Sequence, residues 1–330
     1  MTTARSICIA SARWLAGLAI CVAIAVPAAA SDWIYRPFEL PRTYTAELGA
    51  RFWYGRGSTA KDLYNPAGTS LNSRLTYSDY SIYSAEAFGR FDLNTGWFLK
   101  GFVGGGGFRG GTLKDEDFPP AISPYSATLS SLNSSAPAYM SVDVGYNVLR
   151  GPDFHVGAFA GYHFLSEITT AFGCTQVASN PFVCVNVPSD VKVITQSNNW
   201  HSMRVGAEAA VEIDRWKLSA DAAWLPLVRM EGWDAHWLRI GTSFTGPVPE
   251  DGNGWGYQLE SVLSYRVTDR FSVGVGGRFW HMETNGHTHF EGHVIGGGGS
   301  PQPLNWRLDN YGVFVQGSMQ LGPYFVFGAN

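Results

Sequence analysis

The sequence has little charge and, after its first thirty residues, no long apolar run. Charged residues make up 15% of the 330 residues, against roughly a quarter in a typical soluble domain. The net charge of -4 gives no reason to expect a nucleic-acid partner. Because no later run reaches about 18 apolar residues, we expect no helical membrane span. The 39 glycines and 14% aromatic residues are typical of a strand-rich protein whose apolar face is thin.

Cysteine is also scarce, with four residues in the chain. Cys8 and Cys21 belong to the N-terminal segment, which leaves Cys174 and Cys184. In an exported chain, a pair so close in sequence predicts a disulfide that closes one loop. Such a short closure is worth roughly 2 to 3 kcal/mol in chain entropy.

The first thirty residues have the features of an export signal. Arg5 and Arg13 give a basic start, residues 15–26 an apolar core, and residues 28–30 a small-residue cleavage site before Ser31. A lipoprotein anchor at Cys21 is the alternative, although the preceding isoleucine is bulkier than that pattern prefers. We predict a cleaved signal over residues 1–30 and a single domain over residues 31–330.

An alternating pattern dominates that domain. Over residues 44–54 apolar and polar side chains alternate with a period of two, as expected of a strand with one apolar and one polar face. Similar stretches predict further strands at 73–93, 97–111, 136–149, 154–170, 194–213, 216–230, 256–267, 271–282 and 306–321, with 311–320 as the closing strand.

The connections between these stretches alternate in length. Short turns are predicted at 94–96, 150–153, 214–215 and 268–270, and long segments at 55–72, 112–135, 171–195, 231–253 and 283–305. Five long and four short connections require ten strands with both ends of the chain on the short-turn side. The sequence therefore predicts an all-β, ten-stranded antiparallel transmembrane β-barrel of the outer-membrane type, with short periplasmic turns and long extracellular loops.

A soluble β-sandwich would also show alternation. Aromatic residues crowd the predicted strand ends, among them Phe52, Trp53, Tyr54, Trp200, Phe279 and Trp280. Aromatic girdles of this kind mark the two membrane interfaces. The pattern therefore favours the barrel, located in the cell outer membrane and in contact with its lipid.

Two short motifs could carry chemistry. Asp115 and Asp117 follow the third predicted strand, and on an extended chain they share a face. Two adjacent carboxylates can do acid-base work on water. Asp234 and His236 have the same spacing, and a carboxylate beside an imidazole makes the histidine a credible base. Each motif alone is equally compatible with a solvated loop, but the predicted topology brings both to one extracellular rim.

At these positions the chain resembles the omptins, aspartyl-type endoproteases of Gram-negative outer membranes that are built as ten-stranded barrels. The likeness runs through Ser73-Arg74-Leu75, Asp92-Leu93, Arg109-Gly110-Gly111, Asp115-Glu116-Asp117, Gly161-Tyr162 and residues 216–236. It covers about a third of the chain after the signal and is topological elsewhere.

The resemblance implies hydrolysis of peptide bonds by attack of water. His236, oriented by Asp234, would take a proton from a water that Asp115 and Asp117 help to hold. No metal, cofactor or covalent intermediate is expected, and the partner would be a peptide or protein substrate of a monomeric enzyme. Glu116 should point away and be dispensable.

Departures from the family pattern limit what the resemblance implies. The omptin preference for basic residues rests on acidic side chains in the cleft, whereas Gly232 stands two before Asp234, and Lys61 and Asp62 leave the other position ambiguous. Phe164 and Ser166 replace a charged pair expected for lipopolysaccharide, so activation by that lipid is not supported. A non-catalytic barrel, an adhesin or a small porin-like protein, is the alternative function.

A histidine-rich segment lies in the last long loop. His287, His289 and His293 are weak candidates for a metal site, since closely spaced imidazoles can bind zinc or copper. The alternative is a solvated loop, and the glycines at 296–299 favour that interpretation.

Overall fold

A computed structural model describes residues 44–118, 124–133, 137–178 and 180–321. The predicted signal, the lead-in to the first strand and residues 322–330 lie outside the described residues. Twelve strands form one antiparallel sheet. The strands are β1 (Tyr44–Tyr64), β2 (Leu71–Leu93), β3 (Trp97–Arg109), β4 (Thr112–Asp117), β5 (Ser126–Leu132), β6 (Ala138–Arg150), β7 (Phe154–Gln176), β8 (Lys192–Ile213), β9 (Trp216–His236), β10 (Val248–Arg266), β11 (Phe271–His289) and β12 (Pro301–Leu321).

The strand pairings lead around the sheet and return to the first strand. β1 pairs with β2 on one side and with β12 on the other. β2 pairs with β3 along one part of its length and with β4 along another. β3 then pairs with β6, β4 with β5, and both β5 and β6 with β7. From β7 to β12 each strand pairs with the next in the chain.

The predicted number of ten strands is wrong, because the described residues form two additional strands between β3 and β6. β3 ends at Arg109, and Gly110 and Gly111 have φ angles of +68° and +96°, which break the strand. A Cβ at Gly111 would lie 2.7 Å from the Ser78 carbonyl oxygen. β4 then continues on β2 in the same register, since Ser81 pairs with Arg109 and Ser78 with Thr112. Residues 112–135, expected as a loop, thus contain β4 and β5.

The long connections are also shorter than predicted, whereas the four short turns agree with the structure. β1 continues to Tyr64, β9 to His236 and β11 to His289. The pattern of β12 shows why these strand extensions were not predicted from the sequence. In its C-terminal half the outward residues Tyr311, Val313 and Val315 are apolar and exposed, and in its N-terminal half the inward residues Leu304, Trp306 and Leu308 are apolar and buried. The apolar face therefore changes sides along one strand.

The outward apolar residues of β12 lie within its last 11 residues or so, which is about the length that a tilted membrane strand needs. The inward side at the same height is polar. Arg278 donates to Glu86 at 2.7 Å and to Glu260 at 2.6 Å, and Asn310 is buried. A soluble protein has polar side chains outside and apolar side chains inside, so this part of the sheet has the reverse distribution. In the described residues no helix is long and apolar enough to cross a membrane.

Aromatic rings from four strands meet inside the sheet. Trp53 and Trp280 have ring centroids 5.1 Å apart, Tyr139 lies 5.2 Å from Trp280, and Phe102 lies 6.3 Å from Trp280. We call these four residues the aromatic layer. Trp53 and Trp280, and also Trp200, are buried, so their predicted place in an interfacial girdle is wrong. Phe52 and Tyr54 do face outward.

A cavity of about 280 Å³ occupies the inside of the sheet at its short-turn end. It is lined by ion-paired side chains, including Arg90 with Glu208 at 2.7 Å. At the other end of the sheet, Cys174 of β7 is disulfide-bonded to Cys184, with Cα atoms 5.3 Å apart. The bond closes part of the connection between β7 and β8.

Candidate active site

The two acidic motifs lie on strands that extend past the apolar band. β4 carries Asp115 and Asp117 on one face, next to Leu113, which is fully buried. Glu116 projects from the other face and forms an ion pair with Lys114 at 2.7 Å. The alternation of a short strand therefore separates Glu116 from the two aspartates, which we call the aspartate pair.

Asp234 and His236 end β9, and their side chains are in contact. His236 Nε2 lies 3.1 Å from Asp234 Oδ2, and Asp234 is buried. In the neutral imidazole with hydrogen on Nε2, this nitrogen donates to the carboxylate and Nδ1 is left to accept a proton. We call these two residues the dyad.

The carboxylates of Asp234 and Asp115 together have more effect on the pKa of His236 than burial does. Burial by itself lowers the pKa of His236, but the charge and hydrogen bond of Asp234, together with the charge of Asp115, raise that pKa above its ordinary value. For Asp234 burial acts in the opposite direction and would raise its pKa. His236 and Lys61 overcome this effect and hold the pKa of Asp234 well below its usual range.

The aspartate pair has the opposite electrostatic character. Burial raises the pKa of Asp115 to about 6; His236 and Arg239 oppose the shift, and the charges of Asp117 and Asp234 add to it. Burial likewise raises the pKa of Asp117. The charges of Asp115 and His236 therefore influence each other's pKa. Burial therefore favours the protonated form of the aspartate pair, whereas Asp234 is held in its ionised form.

Lys61 is a residue of this site that the sequence left ambiguous. Its Nζ donates to Asp234 Oδ2 at 2.5 Å, to Glu250 Oε1 at 2.7 Å and to Gln196 Oε1 at 3.2 Å. Asp62, its neighbour, points away and accepts two hydrogen bonds from Arg74 at 2.5 and 2.9 Å. Lys61 lies an even number of residues after the inward-facing Trp53, and because β1 extends beyond residue 54 both side chains face the interior.

Gly232 cannot be replaced by an acidic residue without moving the backbone. A Cβ there would lie 2.3 Å from the Ser197 carbonyl oxygen of β8. The position two before Asp234 therefore has no room for a side chain in this arrangement.

The histidine-rich segment does not assemble a metal centre in the described residues, where no group of three or more His, Cys, Asp or Glu side chains is arranged to hold an ion. His289 contacts Glu291 at 2.8 Å and Asp251 at 3.3 Å. The rings of His287 and His289 are 6.5 Å apart. His287, His289 and His293, the weak metal candidates, are thus not brought together.

No protein-family model matches the chain, and no curated protein does either. Among solved structures, the outer membrane protease OmpT from Escherichia coli aligns with a TM-score of 0.66 at 15% sequence identity, covering 83% of this chain and 97% of that chain. The two proteins share a fold. The likeness extends over nearly all of OmpT, so the two chains have the same all-β architecture. At this identity, OmpT informs the fold, and the roles of individual residues rest on geometry.

Two further structures align at lower similarity. The translocator domain of the autotransporter NalP from Neisseria meningitidis has a TM-score of 0.37 at 9% identity, covering 86% of this chain and 90% of that chain. A FadL homologue from Pseudomonas aeruginosa has a TM-score of 0.27 at 9% identity, covering 84% of this chain and 90% of that chain.

Proposed function

We propose that the chain is an omptin-like endopeptidase of the outer membrane. β3 with β4, and β5 with β6, would each fill one position of a closed barrel of ten positions that crosses the membrane at its short-turn end. The outward apolar band and the fold shared with OmpT support the location. The hydrogen bond between His236 and Asp234 opposite a protonatable aspartate pair carries the proposal.

In the proposed reaction His236 removes a proton from a water molecule, and the water oxygen attacks the peptide carbonyl carbon. Asp234 stabilises the imidazolium that forms. The aspartate pair holds the water, and a proton shared by the pair stabilises the developing oxyanion. Collapse of the tetrahedral intermediate breaks the C–N bond, and the leaving amine takes the proton from His236. No residue of the chain becomes covalently linked to substrate.

The aromatic layer argues against the porin-like alternative. Trp53, Tyr139 and Trp280 are each about 2% exposed and touch one another across the interior. A channel of the porin type needs a continuous water-filled passage, and these rings interrupt it. An adhesin with the same barrel would show no cleavage, and it is therefore an outcome of the test below.

The cleft gives no support for a preference for basic residues. Lys61 is ion-paired with the buried carboxylates of Asp234 and Glu250, Asp62 is paired outside with Arg74, and Gly232 has no side chain. We therefore propose that specificity differs from a preference for Arg or Lys.

The test is cleavage of a mixed peptide library by the purified protein in detergent, with and without lipopolysaccharide. Asp234→Asn and His236→Ala should each lose about 10²- to 10⁴-fold in kcat, the range for a general base. His289→Ala and Glu116→Gln are matched controls, because His289 forms a second Asp-His contact outside the cleft and Glu116 separates the aspartate pair in sequence. Equal cleavage by His236→Ala and the parent, or no cleavage by the folded parent, would overturn the proposal.

A further inference from the structure

The site contains a buried cation that the proposed reaction does not use. Lys61 is 3% exposed and lies beneath the dyad. Its Nζ and His236 Nε2 both contact the same oxygen, Asp234 Oδ2, at 2.5 and 3.1 Å. The other oxygen, Oδ1, is buried and has no hydrogen-bond partner within the described residues. A single oxygen of this carboxylate therefore contacts both the ammonium and the imidazole.

We propose that Lys61 is a positioning residue of the dyad, which holds Asp234 ionised with Oδ2 directed at His236 and tempers the basicity of that histidine. This inference rests on the proposed function. Lys61 does not touch the reacting atoms and acts through Asp234. A carboxylate shared with an ammonium stabilises an imidazolium less than an unshared one, so His236 releases its proton more readily at the end of each cycle.

Lys61 is itself anchored independently of the dyad. Glu250 Oε1 accepts from Lys61 at 2.7 Å and from Thr288 Oγ1 at 3.3 Å, and Glu250 Oε2 accepts from Gln196 Nε2 at 2.9 Å. The Trp306 ring lies 5.4 Å from Nζ. Contacts from β8, β10, β11 and β12 thus hold the ammonium in place under Asp234.

Charge balance makes this ammonium necessary. Asp234 and Glu250 are two buried carboxylates that share one cation. Without Lys61 they repel each other, and one of them takes up a proton. If that one is Asp234, the base loses its orienting charge.

Several other groups act on the dyad and must be kept constant in a test. Asp115, Asp117 and Arg239 exert charges at the open side, on His236 or on its neighbour Asp115. On the buried side the Tyr77 hydroxyl experiences the charges of Asp234 and Glu250. None of these is altered by substitutions at Lys61 or Glu250.

The experiment compares Lys61→Met, Lys61→Arg and the double variant Lys61→Met/Glu250→Gln in peptide cleavage over a range of pH. We expect Lys61→Met to lose on the order of 10- to 100-fold in kcat with little change in KM, as is typical for groups that orient a functional ligand. Lys61→Arg should recover part of the loss. Asp62→Asn, whose side chain points outward to Arg74, is the control and should match the parent.

The double variant separates positioning from simple charge compensation. It removes both members of the Lys61–Glu250 ion pair, so no uncompensated carboxylate remains beside Asp234. We expect its kcat to stay low and its acid limb to move to higher pH, because His236 no longer competes with an ammonium for Asp234. Recovery of the parent's kcat and pH profile would show that Lys61 only neutralises Glu250, and would overturn the inference.

A second readout does not depend on activity. NMR titration of isotope-labelled histidine gives the pKa of His236 in the parent and in the double variant, with folding verified by heat-modifiable migration in SDS gels. A higher His236 pKa in the double variant supports the coupling, and an unchanged pKa refutes it. An inactive parent that still shows the shift would refute the protease but not the contact through Asp234.

Discussion

Replacing Asp115 by asparagine should stabilise the protein while it abolishes cleavage. Burial raises the pKa of Asp115 from 3.8 to about 6, so the folded state binds this proton more tightly than the unfolded state. Below pH 3.8 the carboxyl is neutral in both states and costs nothing. As the pH rises from 3.8 to about 6, the carboxyl ionises more readily in the unfolded than in the folded state. The free energy of unfolding therefore falls over this range.

The size of the effect follows from the shift. Each pKa unit corresponds to about 1.4 kcal/mol, so the rise from 3.8 to about 6 sets an upper limit of about 3 kcal/mol above pH 6. Asp115 is partly exposed, so solvent screening should reduce this to roughly half. For a chain of this size, about 1.5 kcal/mol raises Tm by roughly 3 to 6 °C. Asparagine, which is neutral at every pH, removes the penalty.

The assay is thermal unfolding in detergent at pH 8 and at pH 4, followed by circular dichroism. Asp115→Asn should raise Tm at pH 8, most of the gain should disappear at pH 4, and cleavage should fall by at least about 10²-fold. Glu116→Gln, which alters the ion pair with Lys114 on the opposite face of β4, is the matched control and should leave both measurements unchanged. An equal Tm gain at both pH values, or a lower Tm at pH 8, would refute the reasoning.

Three further substitutions test the framework around the site. Arg278→Met leaves Glu86 and Glu260 with Arg51 as their remaining ion-pair partner in the described residues and should cost about 1 to 3 kcal/mol, measured as a lower temperature of the heat-modifiable gel transition; an unchanged temperature would contradict the ion-pair assignment. Cys174→Ser should lower Tm by the loss of roughly 2 to 3 kcal/mol, and reduction of the parent should reproduce the change. Gly232→Asp should lower Tm, because its Cβ meets Ser197 O at 2.3 Å, and should not create cleavage after Arg or Lys in the peptide assay.

The part of the fold that carries the outward apolar band was predictable from the sequence. Where the outward face is apolar and the inward face polar, as along residues 311–321, the period of two is plain and the short turns follow. Beyond the apolar band the outward face becomes polar and the inward face apolar. Where the apolar residues change from the outward to the inward face, the period of two is broken. The sequence there resembles a loop, although β1, β9 and β11 continue through it.

The site was predictable to the extent that it depends on spacing within one strand. A separation of two fixed the common face of Asp115 and Asp117, and the contact of Asp234 with His236. Lys61 and Glu250 are 189 positions apart, and their contact is created by the order of strands around the sheet. No local pattern contains that information. The interruption at Gly110 was equally hidden, since its neighbours in sequence are also glycine-rich.

The groups around the proposed water come from strands at both ends of the chain: Lys61 from β1, Asp115 from β4, Asp234 from β9 and Glu250 from β10. Lys61 reaches its position only when β1 has paired with β12, the last strand of the described residues. A protease arranged in this way has no complete catalytic centre while it is still an unfolded chain in transit. Its own assembly in the membrane would then serve as the activation step.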